Sequence, residues 1–310
     1  NRRYNPAEVW AFEPIVKPDV PDGKLAYSSE IDSFVNSKIA NANLEPTEIA
    51  GPAVLLRRAY YDLLGLPPSI EETDAFVSAY SKDPNGAWSE LIDKLLASPH
   101  YGERWGQHWL DVVRYADTSG FSNDFERSNA WRYRDYVIRA FNEDLPYDQF
   151  IVQQIAGDEL AKDKNSSSNS APELTMSEGL VSTGFLRMGP WEHTAMTPEK
   201  VSRQIYLDDL TNAVGETFLS TPLKCCKCHD HKFDPIPTRD YYRIYAAFAT
   251  TQPAEMKSEF LDKESRNGFE EQKAHVQRLL AHATEKMNAL YAKREKAAKE
   301  WYKERGRESD

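Results

Sequence analysis

All three cysteines of this chain fall in one run, Lys224-Cys225-Cys226-Lys227-Cys228-His229-Asp230-His231-Lys232-Phe233-Asp234-Pro235. Any staple made through thiols must therefore be made locally. Cys225, Cys228 and His229 stand in the order C-x-x-C-H, the attachment pattern of a c-type haem. Two thiols about one helical turn apart can add to the two vinyl groups of one porphyrin, and the adjoining imidazole then falls on the iron as an axial ligand. The pattern leaves Cys226 over.

Other uses of the same residues make different demands. A zinc site could take Cys225, Cys228 and His229 or His231, but structural zinc normally recruits a second, separated ligand pair, and no further cysteine exists. A redox C-x-x-C normally follows a strand, whereas the sequence before this motif has the pattern of a long helix. A disulfide among neighbouring thiols would leave the His-Asp-His run without a purpose. The spacing is best met by haem c.

With 310 residues, 40% of them hydrophobic, the chain can bury a substantial core as one large or two modest domains. A net charge of -11 argues against general binding to a phosphate backbone, so no nucleic-acid partner is expected. No apolar run approaches membrane-spanning length, and the start at Asn1 carries no signal-peptide core. Because haem is attached covalently outside the cytoplasmic membrane, the motif implies a periplasmic or secreted protein.

Apolar periodicity is helical nearly throughout, which predicts a mainly α fold: an irregular multi-helix domain built around the C-x-x-C-H segment, with a long coiled-coil-like helix at its C-terminal end. Residues 1–28 are proline-rich and aperiodic, as in an extended arm or linker. The helical domain is expected over 29–252. Ser29 is positioned to cap a helix with Ile31, Phe34, Val35 and Ile39 on one face, and Ser69-Ile70-Glu71-Glu72 has the form of a capping box. Further helices are expected around 53–64, before Pro99, over 101–115, after Asn129 as cap, over 147–157, from about Glu173, over 198–219, and after Thr238 as cap. The stretch 162–170 is low in complexity, as in a loop. Within 253–310, Val276, Leu280, Ala283, Met287 and Leu290 recur at alternating steps of four and three, a heptad seam that calls for a partner helix on another chain or in a C-terminal module.

A low-spin haem iron takes a second axial ligand, and the chain offers seven histidines and five methionines. His108 ranks first, because Trp105, His108, Trp109, Val112 and Val113 share one helical face that the pattern turns inward. His193, Met188 and Met196, in a segment broken by Gly189-Pro190, are the alternatives. Arg132 and Arg134 can supply counter-charge to haem propionates. For an enzymatic reading, His231, Asp230, Asp111 and Arg114 are the acid/base candidates, with His108 if the iron leaves it free.

Several further motifs belong together: Trp10-Ala11-Phe12; Leu56-Arg57-Arg58 with Leu63-Leu64-Gly65-Leu66-Pro67-Pro68; Ser98-Pro99-His100-Tyr101-Gly102-Glu103-Arg104-Trp105; His108-Trp109-Leu110-Asp111 with Arg114-Tyr115-Ala116-Asp117; Ala130-Trp131-Arg132-Tyr133-Arg134-Asp135; and Cys228 to Pro235. Over about residues 10–252 they resemble the secreted planctomycete cytochrome-like proteins, whose haem-motif module is a domain of unknown function. The resemblance implies a secreted module, usually preceded by a small cytochrome-like domain and followed by a second module. Cys226 departs from the small residue usual inside that family's C-x-x-C. The expected activity is electron transfer through covalent haem c to a redox partner protein. The alternatives are a haem-dependent oxidoreductase acting on an extracellular substrate such as polysaccharide, and a zinc-stapled assembly module.

Overall fold

Helix starts in the first part of the chain are set by caps that can be read off the sequence. In the computed structural model, which describes residues 9–21, 29–121, 123–162, 174–192 and 196–307, Ser29 accepts from the Asp32 N–H and opens α1 (Glu30–Asn41). Gly51 and Pro52 open α2 (Pro52–Leu63). The capping box is complete at α3 (Ile70–Lys82), where Ser69 and Glu72 satisfy each other's backbone N–H. Asp83 then caps α4 (Pro84–Leu96). Leu56, Ala59, Tyr60, Phe76, Leu91 and Leu95 of α2, α3 and α4 form a small core of their own.

The main core gathers α5 (Pro99–Val112), α6 (Ala130–Asn142), α7 (Tyr147–Lys162), α8 (Met176–Ser182) and α9 (Glu199–Leu219). At its centre Gln154 is fully buried. Its side-chain oxygen accepts from the indole N–H of Trp109 at 3.0 Å and the hydroxyl of Tyr133 at 2.6 Å, and its NH2 donates to the Phe150 carbonyl. A buried amide is tolerated here because both of its ends are bonded. Thr175 caps α8, which begins at Met176. The chain then passes through α10 (Thr238–Ala247) and into α11 (Phe269–Glu304), 36 residues with none buried. No β-strand occurs among the described residues, and Thr118 with Glu126 forms an isolated bridge. The fold is thus mainly α.

Two compact units divide at Phe260/Leu261. The first reaches past residue 252 because Arg132 of α6 donates to the carbonyls of Ser258 and Glu259, and Phe260 stacks on Trp131. The second contains α11, whose Val276, Leu280, Met287 and Leu290 are exposed.

Some expectations fail here. On α5 the inward face carries Gly102, Gly106 and Val113, while Trp105, His108 and Val112 are exposed. The reason is steric. A Cβ on Gly102 would meet the Ile138 carbonyl oxygen of α6 well inside van der Waals contact, so the two helices approach through their backbones and the bulky residues turn away. Of the face assigned to α1, Ile31 and Val35 are exposed. Asn129 stands at the N-cap of α6 but makes no side-chain cap bond. The loop expected over 162–170 lies outside the described residues from 163 onward.

Candidate functional site

The cysteine segment begins where α9 stops. Ser220 takes a left-handed conformation (φ 49°), and the chain turns into a short 3-10 helix, Lys224–Lys227. That turn sorts the three thiols. Cys226 is fully buried, in a cluster with Leu223 and Tyr241. Cys225 and Cys228 are exposed, as is His229, and all three thiols are free. Burial raises the pKa of Cys226, keeping it a protonated packing residue. The odd cysteine therefore anchors the segment from inside, and the two cysteines of the C-x-x-C-H pattern face outward with the histidine.

His229 is oriented as well as exposed. Its Nδ1 lies 2.7 Å from the Asp230 carbonyl oxygen. Since a carbonyl can only accept, Nδ1 carries the proton and Nε2 is the basic nitrogen, the tautomer that a ligating histidine uses.

The residues after it build the turn. The Asp230 carboxylate accepts from the Thr238 N–H at 2.9 Å, capping α10 from eight residues away. Thr238 is thus the first helical residue, not the cap, and Pro237 holds the N-cap position. His231, 9% exposed, closes the loop with its N–H on the Ile236 carbonyl. Asp234 meets Nδ1 of His231 twice, through its N–H at 3.0 Å and its carboxylate at 2.9 Å. The first contact needs Nδ1 bare and the second needs it protonated, so the two are alternatives, and either one ties the imidazole to Asp234.

One residue the sequence does not single out holds the assembly to the main core. Asp208 of α9 pairs with Lys227 at 3.1 Å and accepts from the hydroxyl of Tyr241. Tyr241 is 0% exposed, and burial together with that carboxylate drives its pKa upward. Tyr242 donates to the Lys227 carbonyl at 3.1 Å. Asp208 looks like a surface acid on α9, because Lys227 and Tyr241 lie far along the chain and its contact with the nearby Asn212 amide is long, at 3.5 Å.

The remaining candidates are dispersed. His108 is exposed and packs its ring against Trp105 at 5.6 Å. Met188 is buried in the main core at 6% exposure, and Met196 is 69% exposed. His193 lies outside the described residues. Arg132 is buried, its guanidinium directed at the Ser258 and Glu259 carbonyls and 4.9 Å from the Phe260 ring, so it fastens the segment around residues 258–260. Arg134 bonds Asp135 at 2.8 Å. Arg114 forms a two-point pair with Asp209 at 2.7 and 3.2 Å, and Asp111 is exposed. Among the described residues, no group of three or more His, Cys, Asp or Glu side chains converges as a metal cage. No helix there is long and apolar enough to cross a membrane.

The segment offers two accessible thiols and an imidazole of the ligating tautomer on one short turn, with its neighbours inward or bonded. Donors of these kinds are the ones that covalent haem attachment uses. No curated protein and no solved structure matches the chain. Residues 30–253 match the family model described as PSCyt2, protein of unknown function (DUF1549), and the chain belongs to that family.

Proposed function

We propose that the protein is an exported, c-type-cytochrome-like electron carrier of the secreted planctomycete type, holding haem covalently at Cys225 and Cys228 with His229 as proximal ligand. The observation that carries the reading is the sorting of the segment: Cys225, Cys228 and His229 face solvent while Cys226 is buried, with the His229 Nδ1–H on the Asp230 carbonyl. When bound, haem supplies one-electron chemistry at its iron. The chain's own part is to hold and orient. Cys226 and Leu223 seat the turn in apolar surroundings, Asp208 ties it to α9 through Lys227 and Tyr241, and the Asp230 carbonyl fixes the His229 ring. A rigid ligand frame suits electron transfer, because little has to rearrange when the charge on the iron changes.

Electron transfer is favoured over a haem-dependent oxidoreductase by what the acid/base candidates are doing. His231 and Asp230, the candidates in the cysteine segment itself, are committed to the turn and to the α10 cap, and Arg114 to Asp209, which leaves Asp111 and His108, both exposed on α5, as the candidates an oxidoreductase would have to use. A zinc-stapled module gains no support, since no third separated ligand joins the cysteines among the described residues. Covalent attachment places the protein in the periplasm or outside the cell, where it would meet a redox partner protein.

The test is expression in a host able to attach haem c, followed by intact-mass measurement and visible spectra, oxidised, reduced and with carbon monoxide. The expected result is a mass increase of one haem and a c-type reduced spectrum, lost in the Cys225→Ala/Cys228→Ala variant. A polypeptide of unmodified mass overturns the proposal.

A further inference from the structure

Away from the cysteines, the first compact unit contains a cleft of about 690 Å³, open on one side. Its walls are α6, α7, α8, the turn that follows α8, and the strap 250–258. That volume is in the range of small-molecule sites. The distribution of charge within it is uneven. Arg127 and Arg187 are part-buried and Arg132 is buried, whereas Glu126, Glu159 and Glu255 are exposed. Asp158 is engaged by Lys162 at 3.0 Å.

Arg127 donates hydrogen bonds to the carbonyl oxygens of Met188, Gly189 and Ser119, which hold its guanidinium in place without cancelling its charge. Burial and the neighbouring Arg187 both depress its pKa, and the acid acting on it, Asp124, is exposed. Arg187 in turn is held by Glu255 at 3.2 Å, and Glu255 is 91% exposed on the strap. Two guanidiniums of like charge therefore share a partly desolvated wall, and the carboxylate on one of them is a solvent-facing group that an incoming anion can displace.

We propose that this cleft is a binding site for a small oxyanion, a carboxylate or phosphate compound held by Arg127 and Arg187, with Glu255 as its internal competitor. Guanidinium forks suit both chemistries, since each presents paired oxygens. The cleft shares no residue with the cysteine segment, so the site stands or falls apart from the haem reading.

The test is calorimetric titration of the full chain with citrate and with inorganic phosphate at fixed ionic strength, with glycerol as a neutral control. Saturable binding of at least one anion is expected. Arg187→Gln should weaken it by about tenfold or more, while Glu255→Gln should tighten it several-fold. Citrate binding alone would assign a carboxylate ligand, and phosphate binding alone a phosphate compound. Saturation by neither anion overturns the proposal, as does binding that is unchanged in both variants. Glu255 lies on the surface, so its variant keeps the test decisive even if Arg187→Gln fails to fold.

Discussion

The block α2–α4 and the cysteine segment are each small clusters, held by opposite means. In α2–α4 the controlling contacts are mostly local: Ser69 with Glu72, Asp83 with Gly86, and apolar residues at helical spacing. In the cysteine segment local contacts shape the turn, His229 on the Asp230 carbonyl and Asp234 on His231, but remote ones tie it down. Asp208 reaches Lys227 and Tyr241, and Asp230 caps a helix eight residues on. Local devices make elements that a sequence announces. Remote ones hold a short, irregular turn that has no periodicity to stabilise it, as a candidate cofactor frame requires.

The comparison is broken most severely at Tyr241. It is 0% exposed, packs on Leu223 and Cys226, and bonds Asp208, so Tyr241→Ala should cost about 3–5 kcal/mol in denaturant unfolding. Tyr241→Phe removes the hydroxyl alone and should cost about 1–2 kcal/mol, since Lys227 still pairs with Asp208. If the remote tie positions the turn, Tyr241→Phe should also lower haem loading at equal protein yield, which a purely global stability effect of that size would not do.

A second test lies on α5. Helix propensity alone makes Gly102→Ala stabilising by about 0.5–1 kcal/mol. The contact with the Ile138 carbonyl and with Asn142, whose Oδ1 accepts from the Gly102 N–H at 2.8 Å, reverses the sign. The expected outcome is a loss of about 1–3 kcal/mol. A gain in thermal stability would show that the α5–α6 approach is not tight and would reopen the inward placement of His108.

The same seam shows why some of the site was legible and some was not. The helices, the capping box and the long exposed α11 follow from spacing. The exposed face of α5 does not, because glycine carries no hydrophobic signal and the pattern of Trp105, His108 and Val112 points the wrong way. The C-x-x-C-H order singles out Cys225, Cys228 and His229 as candidates, and burial explains Cys226, which sequence leaves without a role. Asp208 and the cap from Asp230 could not be found locally, since each acts on a partner brought near only by the turn. The pattern offers Arg132 as counter-charge to haem propionates and Arg114 as an acid/base candidate, but gives no sign that each is engaged by a group distant in sequence.

The smallest expected effect belongs to the local cluster and is the sharpest on sign. Ser69→Ala removes the capping acceptor of α3 and should cost about 1 kcal/mol. Glu72, on the other side of the box, has its pKa lowered to about 2 by the Ser69 N–H, then by Tyr60 and Lys94. Its folded-state value is depressed, so its contribution is complete above the ordinary carboxylate range and fades as pH falls from there toward about 2. The carboxylate is 37% exposed, so solvent screening keeps that contribution small. Glu72→Gln should flatten the stability profile between the ordinary carboxylate range and the folded-state value while leaving it nearly parallel to wild type at neutral pH. Urea unfolding across that window checks this, and an unchanged acid slope would mean that the box closes without help from the charge.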